Sequence, residues 1–471
     1  MINVQDRFEN YRNLVGTDPF EHRRLILDCL NSAIESVLPS NLMKGRISID
    51  PKEHLIIRGT KLVFPLKSYD KLVVVGTGKA GGSMAETLES LIPTEIEYSG
   101  AVSIPEGTAS RFHCKKISLL EATHPIPSEK SVIATSKIMN LVEEATEKSL
   151  VLCLISGGGS SLMALPADGV TLEDKVQITR LLLKSGASIE KLNCVRKHLS
   201  AVKGGQLAKA ANGARVLSLI ISDIVGNPIE SVASGPTVPD PSTFGDALAI
   251  LEENHALAKA PFRVMKRLKE GLAGRIPETS KPKEKIFDKV TNLVIGDNSV
   301  ACEVAIKKLK VKSKFRPYYL GSYWQGESRE TAANLIGLFR TICEYSGPSY
   351  GFTVPTAFVW GGETTVTVNG NGKGGRNQEA ALTALIKLKG ERKITVAFMG
   401  TDGVDGFSSA AGAIVDSRVY NCARSRKLDP EKYLRKNDSN SFFRRAKDGL
   451  LITSPTGTNV NDIGIALVEN P

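Results

Sequence analysis

Long hydrophobic runs are missing from this sequence of 471 residues. No stretch approaches the ~18 consecutive apolar residues that a membrane-spanning helix needs. The first thirty residues mix acidic and basic side chains, which fits neither a secretory signal nor an acid-poor transit peptide. We therefore expect a cytoplasmic protein with no membrane partner, and a mitochondrial location is left open.

Clustered cysteine and histidine are also absent. The 7 cysteines are far apart and never form C-x-x-C, and none of the 6 histidines forms a ligand-like pair. These absences argue against a disulfide scaffold and against a zinc site, so any metal would be a hard ion bound by oxygen. Aromatic residues make up only 6%, and the 61 Lys and Arg against 50 Asp and Glu are scattered along the chain. The net charge of +11 therefore indicates a basic surface and a site for a small anion, not a nucleic-acid interface.

What the sequence does contain is the composition of a globular protein, with 41% hydrophobic and 24% charged residues. Single cores rarely grow past roughly 250–300 residues, so two or three domains are expected. Residues 278–288 are rich in Lys and Pro and have no periodicity, which is typical of a linker or an exposed excursion. We predict an N-terminal domain over residues 1–288 and a C-terminal domain over residues 289–471.

Short apolar runs recur along the chain, and most are followed by a glycine-rich or polar turn and a helical pattern. An amphipathic helix is predicted over residues 20–38, stopped by Pro39. The predicted strands are 72–75, 150–155, 216–222, 292–295, 357–360, 394–399 and 450–453. Buried strands that alternate with helices predict an α/β protein with parallel sheets and helices on both faces.

The first glycine turn follows the strand at 72–75. Gly76-x-Gly78-x-x-Gly81 matches the dinucleotide-binding fingerprint, with Glu106 placed to act as the ribose acid. Lys79 lies inside the turn, where a cation suggests direct contact with a phosphoryl group or a carboxylate. An alternative is a loop lysine in water. The turn lacks the spacing of a Walker A motif.

A second glycine turn gives the stronger signal. It consists of Ser156, Gly157, Gly158, Gly159, Ser160 and Ser161. Three adjacent glycines let successive backbone N–H groups converge on one anion, and the serine hydroxyls add donors. A helix N-terminus directly afterwards would favour the same anion. We interpret this segment as a phosphate cradle rather than a flexible Gly-Ser loop.

Several charged residues occupy positions that suit a ligand. Residues 193–205 are predicted to place Arg196 and Lys203 on one helical face, although spacing alone favours a solvated charged face, and His198 is expected to form structural hydrogen bonds. Arg376 follows Gly374 and Gly375 where a helix begins, and its planar fork suits a carboxylate or phosphate.

Carboxylates stand at the ends of several predicted strands. Asp223 follows the strand at 216–222, where it could hold Mg²⁺, accept a proton or simply cap a turn. Asp297, Glu363, Asp402 and Asp405 repeat this placement at other strand ends. Acidic candidates for magnesium are therefore in surplus.

Taken together and in order, these segments resemble the class II glycerate kinases, whose C-terminal part is the MOFRL domain. The segments that carry the resemblance are GTGKAGGSMA, ISGGGSSLM, NCVRKHLSAVKGG, SDIVGNP, SVASGPTVPD, GGETTVTVNGNGKGGRNQEAAL, GTDGVDG and SPTGTNVND. The resemblance implies a Rossmann-like N-terminal domain, a smaller C-terminal α/β domain and an active site in the interdomain cleft. After GTDGVDG the chain departs from the family's usual Pro, Thr and Asp, with Phe407, Ser408 and Ser409 instead.

The resemblance also implies phosphorylation of D-glycerate on its 2-hydroxyl by ATP and Mg²⁺, by a monomer or homodimer. We expect Lys79, Arg376 and Asp223 to be catalytic and Lys79, Arg196, Arg376 and Asn377 to bind glycerate. The phosphate-binding candidates are Gly78, the six residues from Ser156 to Ser161, and Lys203. The magnesium candidates are Asp223, Asp297, Glu363 and Asp402. The alternative reading is an NAD(P)H-dependent hydroxypyruvate reductase, which the first glycine turn favours.

Overall fold

The structure, a computed structural model, describes residues 3–16, 21–347 and 351–469. Its contacts divide the chain into two compact units. Residues 42–295 form one, which we call the parallel-sheet unit. The described residues up to Asn41 and from Gly296 onward form the other, which we call the mixed-sheet unit.

Helices and strands alternate along most of the chain. The helices are α1 Val4–Arg7, α2 Tyr11–Val15, α3 Glu21–Ser36, α4 Pro39–Arg46, α5 Gly81–Leu91, α6 Glu129–Glu143, α7 Gly159–Leu162, α8 Leu172–Lys184, α9 Ile189–His198, α10 Gln206–Ala210, α11 Phe244–Glu253, α12 Phe262–Leu272, α13 Asn298–Lys312, α14 Ser328–Glu344, α15 Arg376–Leu388, α16 Ser417–Ser425, α17 Pro430–Arg435 and α18 Ser439–Ala446. The strands are β1 Ile47–Ile49, β2 His54–Ile57, β3 Val63–Pro65, β4 Lys71–Thr77, β5 Tyr98–Pro105, β6 Ile117–Ala122, β7 Ser149–Ser156, β8 Arg215–Ile221, β9 Val290–Gly296, β10 Arg316–Tyr319, β11 Thr356–Gly362, β12 Ile394–Gly400, β13 Gly412–Val415, β14 Leu450–Leu451 and β15 Asp462–Val468. Short 3₁₀ turns lie at Leu66–Ser68, Ala109–Arg111, Val232–Ser234, Leu257–Lys259 and Lys285–Lys289.

The parallel-sheet unit is built on a six-stranded sheet in the order β6-β5-β4-β7-β8-β9. Numbered from β4, this is the strand order 3-2-1-4-5-6 of the doubly wound dinucleotide-binding fold. Strands β4 to β8 pair in parallel, with Val75 opposite Cys153 across the β4–β7 boundary. The order reverses between β4 and β7, and ligands of such sheets bind beyond the carboxyl ends of the strands at that point. Both predicted glycine turns follow these two strands.

A second core of the same unit lies among helices α8, α9, α11 and α12. Ile178, Val195, Phe244 and Leu268 are buried together there. A small antiparallel sheet, β1-β2-β3, also belongs to this unit. The segment predicted as a linker, residues 278–288, packs on this unit instead of leaving it. Ser280 is fully buried, and its carbonyl accepts a hydrogen bond from the Asp240 N–H at 2.8 Å.

The mixed-sheet unit contains six strands in the order β10-β11-β15-β12-β13-β14. Of the strand pairs described in this sheet, only β10–β11 is parallel, and β15 runs antiparallel to both of its neighbours, β11 and β12. Its core is rich in aromatic side chains. Phe339 stacks on Phe358 with ring centroids 5.0 Å apart, and Trp360 meets Phe398 edge to face at 5.4 Å. Such pairs add stability beyond the area they bury.

The first helices pack on the mixed-sheet unit, where α3 lies against α13. Arg23 on α3 is buried and binds both carboxylate oxygens of Asp416, at 2.7 and 2.8 Å, and the Asp448 carboxylate at 2.7 Å. The Asn10 side chain also donates to the Leu450 carbonyl at 2.8 Å. The predicted division at 288/289 placed these residues with the N-terminal domain. They pack elsewhere because α3 supplies ion pairs and apolar surface to the other unit.

The predicted fold class is confirmed, and the predicted strands coincide with β4, β7, β8, β9, β11, β12 and β14 within one or two residues, apart from a shorter β14. Pro39 was predicted to stop a helix at residue 38, but α3 ends at Ser36 and Pro39 begins α4. Proline is tolerated in the first turn of a helix because its missing N–H has no partner there. In the part of the chain that the structure describes, no helix has the length and apolar character to cross a membrane.

Candidate active site

Two glycine turns meet beyond β4 and β7 in the parallel-sheet unit. The Lys79 N–H donates to the Gly157 carbonyl at 2.8 Å, and the Ala80 N–H donates to the Ser156 hydroxyl at 3.0 Å. The turns are therefore one hydrogen-bonded structure, although 76 residues separate Ala80 and Ser156 in sequence. This places the Lys79 side chain beside the predicted phosphate cradle.

Glycine is required where the two turns meet, because neighbouring atoms lie too close to leave space for a Cβ. Gly78 has φ +124°, and a Cβ there would lie 2.1 Å from the Ser156 hydroxyl. A Cβ at Gly157 would lie 1.9 Å from a carboxylate oxygen of Asp223. The glycines bring backbone and carboxylate together in a space that no larger residue allows.

Asp223 follows β8 and lies against the cradle through Gly157. Burial raises the pKa of the Asp223 carboxyl, while the nearby Lys79 ammonium acts in the opposite direction. Among the described residues, neither side chain has an ion-pair partner within 4.0 Å. A partly buried carboxylate and an exposed ammonium thus flank the glycine turns without neutralising each other directly.

The second turn passes into α7, a helix of only four residues with Gly158 as its N-cap. A helix therefore begins directly after the glycine turn, as predicted, but it is short. Ser160 shares a hydrogen bond of 2.8 Å with Ser234, which donates to Asn193 at 3.0 Å. Ser161 donates to the Gly158 carbonyl at 3.1 Å. Side-chain hydrogen bonds hold the cradle in one conformation.

Lys203 is almost fully buried beneath this turn. Its ammonium donates to the carbonyls of Ser160, Met163 and Ala233 at 2.9, 3.3 and 3.4 Å. An ammonium has three N–H donors, so these three carbonyls match its capacity. Burial, together with the charges of Lys175 and Arg196, lowers the pKa of Lys203. Its geometry is that of a residue that holds the turn in place.

A pocket of about 410 Å³ opens beside the cradle, wholly within the parallel-sheet unit. Its polar wall includes Lys175, Arg196 and Lys203, and no carboxylate lines it. Burial lowers the pKa of the Arg196 guanidinium to about 10. Cations gathered without acidic partners raise the local potential, which favours an anionic ligand.

The basic stretch at 193–205 differs from its prediction in two ways. Helix α9 ends at His198, so Lys203 lies in a later turn and not on the same helical face as Arg196. The stretch is also not a solvated face, because Lys197 is buried against Asp240 at 3.5 Å. The structural role expected for His198 is confirmed: its ring nitrogens lie 2.8 Å from the Cys194 carbonyl and 3.2 Å from Glu278.

In the mixed-sheet unit, Arg376 begins α15 with its guanidinium already paired. Nε and one terminal nitrogen bind the two oxygens of Asp462 at 2.6 and 3.0 Å, and the other terminal nitrogen binds Glu363 at 2.8 Å. Burial alone would lower the pKa of Arg376, but Asp462 and Glu363 outweigh it and raise the pKa. Three of five N–H donors are engaged, so two are left for a ligand.

Asp405 anchors the start of α15. Its carboxylate accepts from the N–H groups of Asn377 at 3.0 Å and Gln378 at 2.8 Å. Burial is the main cause that raises the pKa of Asp405 to about 6. The Asn377 side chain donates to Asp462 at 2.9 Å and to Asp405 at 3.3 Å, so it belongs to the same network as Arg376.

Three of the four magnesium candidates lie in the mixed-sheet unit and already make other contacts. Asp297 caps α13 through the Val300 N–H, and Asp402 accepts from the Val404 N–H at 3.1 Å. Glu363 is paired with Arg376. Over residues 3–16, 21–347 and 351–469, no group of three or more His, Cys, Asp or Glu could hold a metal ion. The fourth candidate, Asp223, lies beside the cradle of its own unit and has no ion-pair partner among the described residues.

Sequence reasoning missed three residues of these clusters. A Cβ at Gly158 would lie 3.1 Å from the His124 ring, which follows β6, and 3.2 Å from the Lys79 side chain. Lys175 is buried on α8, and Asp462 begins β15. A strand-end position could have indicated His124 and Asp462. Nothing local distinguishes Lys175, which lies in an ordinary amphipathic helix.

A doubly wound sheet with paired glycine turns at its switch point, in a chain that also carries a mixed-sheet unit, defines a two-unit α/β protein of the ligand-binding doubly wound class. Residues 25–269 match a family model described as a domain of unknown function, DUF4147, and residues 356–462 match the MOFRL family. The chain belongs to the DUF4147/MOFRL glycerate kinase family.

The similarity to named relatives extends over almost the whole chain. A glycerate 2-kinase of Pyrococcus horikoshii is 40% identical over 95% of this chain and 98% of its own length. The crystal structure of a glycerate kinase from Thermotoga maritima has a TM-score of 0.83 at 35% identity, covering 96% of this chain and all of the other. An Agrobacterium vitis relative named "putative hydroxypyruvate reductase" is 37% identical over 89% of this chain and 91% of its own length.

Proposed function

We propose that this protein is a D-glycerate 2-kinase, which transfers the γ-phosphoryl group of ATP to the 2-hydroxyl of D-glycerate and releases 2-phospho-D-glycerate and ADP. Nearly full-length similarity to kinases of that name carries the proposal. The paired glycine turns support it, since backbone N–H groups at such turns are suitable donors to the phosphates of a nucleotide.

Nucleotide phosphates are assigned to Gly78 and to the cradle from Ser156 to Ser161. Backbone N–H groups near Gly157, Gly158 and Gly159 and the serine hydroxyls are suitable donors. Lys203 supports this binding indirectly, because its ammonium fixes the Ser160 carbonyl and with it the course of the turn. Loss of that clamp would loosen the cradle without removing a direct phosphate contact.

Lys79 is proposed to stabilise the charge of the transferring phosphoryl group. Its exposed side chain flanks Gly158, and the hydrogen bond from its N–H to Gly157 fixes its position relative to the cradle. A cation held in advance at the place where charge develops is among the largest contributors to catalysis. The neighbouring Asp223 is proposed to accept the hydroxyl proton or to bind magnesium.

Mg²⁺ bound to a nucleotide needs only one or two protein carboxylates in addition to phosphate oxygens. Asp223 fits this requirement because it lies against Gly157 and has no capping or ion-pair role. Asp297, Glu363 and Asp402 fit it less well, since each already serves a helix, an arginine or a turn. When bound, Mg²⁺ would neutralise negative charge on the phosphates.

Arg376 is proposed to bind an anionic substrate group, with Asn377 beside it. Asp462 orients the guanidinium through two hydrogen bonds, and two N–H groups are left over. Arg196, which is half-buried and has no carboxylate partner among the described residues, is the corresponding candidate in the parallel-sheet unit. Each of these groups would bind a carboxylate or phosphate oxygen of a substrate, and the glycerate carboxylate is the ligand expected for Arg376.

A reductase is the second candidate, because the doubly wound strand order, the first glycine turn and the Agrobacterium vitis relative all favour it. Glu106 follows β5, where the ribose acid of such folds stands, but it is exposed and paired with Lys130. Lys79 also occupies the turn where a pyrophosphate would approach bare backbone. These two observations favour the kinase.

One assay separates the two functions. The protein is incubated with D-glycerate, ATP and Mg²⁺, ADP release is followed, and the product is passed to enolase. ADP together with an enolase substrate is the expected result. ADP without an enolase substrate would indicate transfer to the 3-hydroxyl, and oxidation of NADH by hydroxypyruvate without ADP formation would support the reductase instead.

A further inference from the structure

Lys175 is a buried cation that no role described so far explains. Its side chain lines the 410 Å³ pocket, yet the residue is only 7% exposed. Its ammonium makes one hydrogen bond, to the Leu165 carbonyl at 3.3 Å. Among the described residues it has no carboxylate within 4.0 Å, in contrast to Lys197, which is buried against Asp240.

A buried charge is normally paired, because an unpaired one keeps a large desolvation cost. The environment of Lys175 makes that cost worse. Burial, with Arg196 and Arg267 nearby, lowers the pKa of the Lys175 ammonium to about 7. Arg180, Arg196 and Lys203 line the same pocket. An anion with several charges would supply Lys175 with the missing negative partner and would also be attracted by the other cations of this wall.

One part of the pocket wall is apolar. It includes Ile126 between two prolines, Val176 one residue beyond Lys175, and Leu183 two turns further along α8. D-Glycerate carries oxygen on each of its three carbons and has no surface to place against this wall. A nucleotide has both a polyphosphate chain and a flat base that buries well against aliphatic side chains.

The pocket is also continuous with the catalytic groups. Gly158, Ser160 and Ser161 of the cradle form part of its lining, and the side chain of Lys79 flanks Gly158. A phosphate chain that begins beside Lys175 can therefore end at the cradle.

We propose that this pocket binds the nucleotide, with the Lys175 ammonium on the phosphate chain and Ile126, Val176 and Leu183 against the base. The inference rests on the proposed kinase function and names the face that receives ATP. It makes Lys175 a nucleotide-binding residue and separates its role from that of Lys203, whose donors are matched by carbonyls.

Two variants with different expected effects on the two ligands test it. Lys175→Met removes the cation and keeps most of the side chain, and Leu183→Ser shortens a side chain that is 59% exposed, so the fold should tolerate it. Affinities for ADP and for inorganic tripolyphosphate, which has no base, are measured by calorimetry, and KM is measured separately for ATP and D-glycerate. Lys184→Met, an exposed lysine of the same helix outside the pocket lining, is the matched control.

Lys175→Met should weaken both ADP and tripolyphosphate roughly 10- to 100-fold, the loss expected for hydrogen bonds to a charged group. Leu183→Ser should weaken ADP about threefold or more and leave tripolyphosphate unchanged, while Lys184→Met changes neither. KM for D-glycerate should stay within about twofold in all three.

The proposal fails if Lys175→Met leaves both affinities unchanged or raises only KM for D-glycerate. An unchanged ADP affinity in Leu183→Ser would show that the base does not pack against this wall. If Lys175→Met does not fold, two measurements remain. One is the ADP affinity of Leu183→Ser, and the other is competition between ADP and tripolyphosphate for the unaltered protein. A lack of competition would overturn the proposal. ADP binding without turnover of D-glycerate would instead refute the kinase function alone.

Discussion

The two units of this protein surround a buried cation in different ways. In the mixed-sheet unit, Arg23 binds two carboxylates. In the parallel-sheet unit, Lys197 is likewise buried against Asp240, but Lys175 has a carbonyl as its hydrogen-bond partner and no carboxylate on the pocket wall. The charge of a paired cation is already neutralised by the protein. An unpaired one has stability to gain from an anionic ligand, so the comparison of Arg23 with Lys175 separates structural positive charge from positive charge that a ligand can neutralise.

The largest effect on stability is expected for Arg23, the buried cation with two carboxylate partners. Replacing Arg23 with Met leaves the buried Asp416 and Asp448 carboxylates without their shared partner, which should lower the free energy of unfolding by about 3–5 kcal/mol. Urea denaturation measures this, and Arg24→Met, at the exposed neighbouring position, is the control. A loss below about 1 kcal/mol would mean that the ion pairs add nothing to the packing of α3.

Catalysis should depend on an exposed cation that stability does not need. Lys79→Ala is expected to lower kcat about 10²- to 10³-fold, by loss of a preorganised charge, with an unchanged melting temperature. Lys52→Ala, an exposed turn lysine, should behave like the unaltered protein. Turnover close to normal in Lys79→Ala would remove this residue from the catalytic groups.

Lys175→Met should stabilise the protein without nucleotide by about 1–4 kcal/mol at pH 7 and below, since it removes an unpaired buried charge. The gain should depend on pH in a defined direction. Below pH 7 folded and unfolded states both carry the proton, so the full cost of burial is present. Above pH 7 the folded state releases a proton that the unfolded state, with a pKa of 10.5, retains.

Stability of the unaltered protein should therefore approach that of Lys175→Met as pH rises from 7 toward 10. Paired denaturation curves at several pH values measure the difference. The other charged groups around the site are common to both proteins: His124, Arg180, Arg196, Lys203 and Arg267. A difference that is constant with pH would show that folding does not lower the pKa of Lys175.

The smallest effect is expected at the outer partner of Arg376. Glu363 has a side chain that is 42% exposed, so Glu363→Gln should change the free energy of unfolding by only about 0–1 kcal/mol. Asp462→Asn, at the buried partner, serves as the contrasting variant and should cost more. If both variants lower the free energy of unfolding by the same amount, the exposure of a carboxylate does not determine how much its ion pair with Arg376 contributes to stability.

Much of the fold could be predicted because its signals are local. The apolar runs that became β4, β7 and β8 stand next to glycine turns, and both features lie within about ten residues of sequence. The catalytic candidates Lys79 and Asp223 could be predicted for the same reason. Pro39 misled the prediction because proline both ends helices and begins them.

Pairing and burial could not be predicted, since they arise from residues far apart in sequence. Asp462 meets Arg376 across 86 positions, and Ala80 meets Ser156 across 76. Lys175 is surrounded by polar neighbours along the chain, and only the packing of α8 against the rest of the unit removes it from water. The predicted solvated face at Arg196 and Lys203 was wrong for the same reason.

The attachment of α3 to the mixed-sheet unit has a consequence for biosynthesis. Arg23 and Asp448 are 425 residues apart, so the ribosome makes Arg23 long before Asp448. Residues 42–295 are synthesised long before Asp448, so this unit can fold before the surface that α3 packs against has been made. We expect the nascent chain to pass through a stage in which one unit is native and the amphipathic α3 is exposed, and chaperone binding during synthesis should concentrate on that helix.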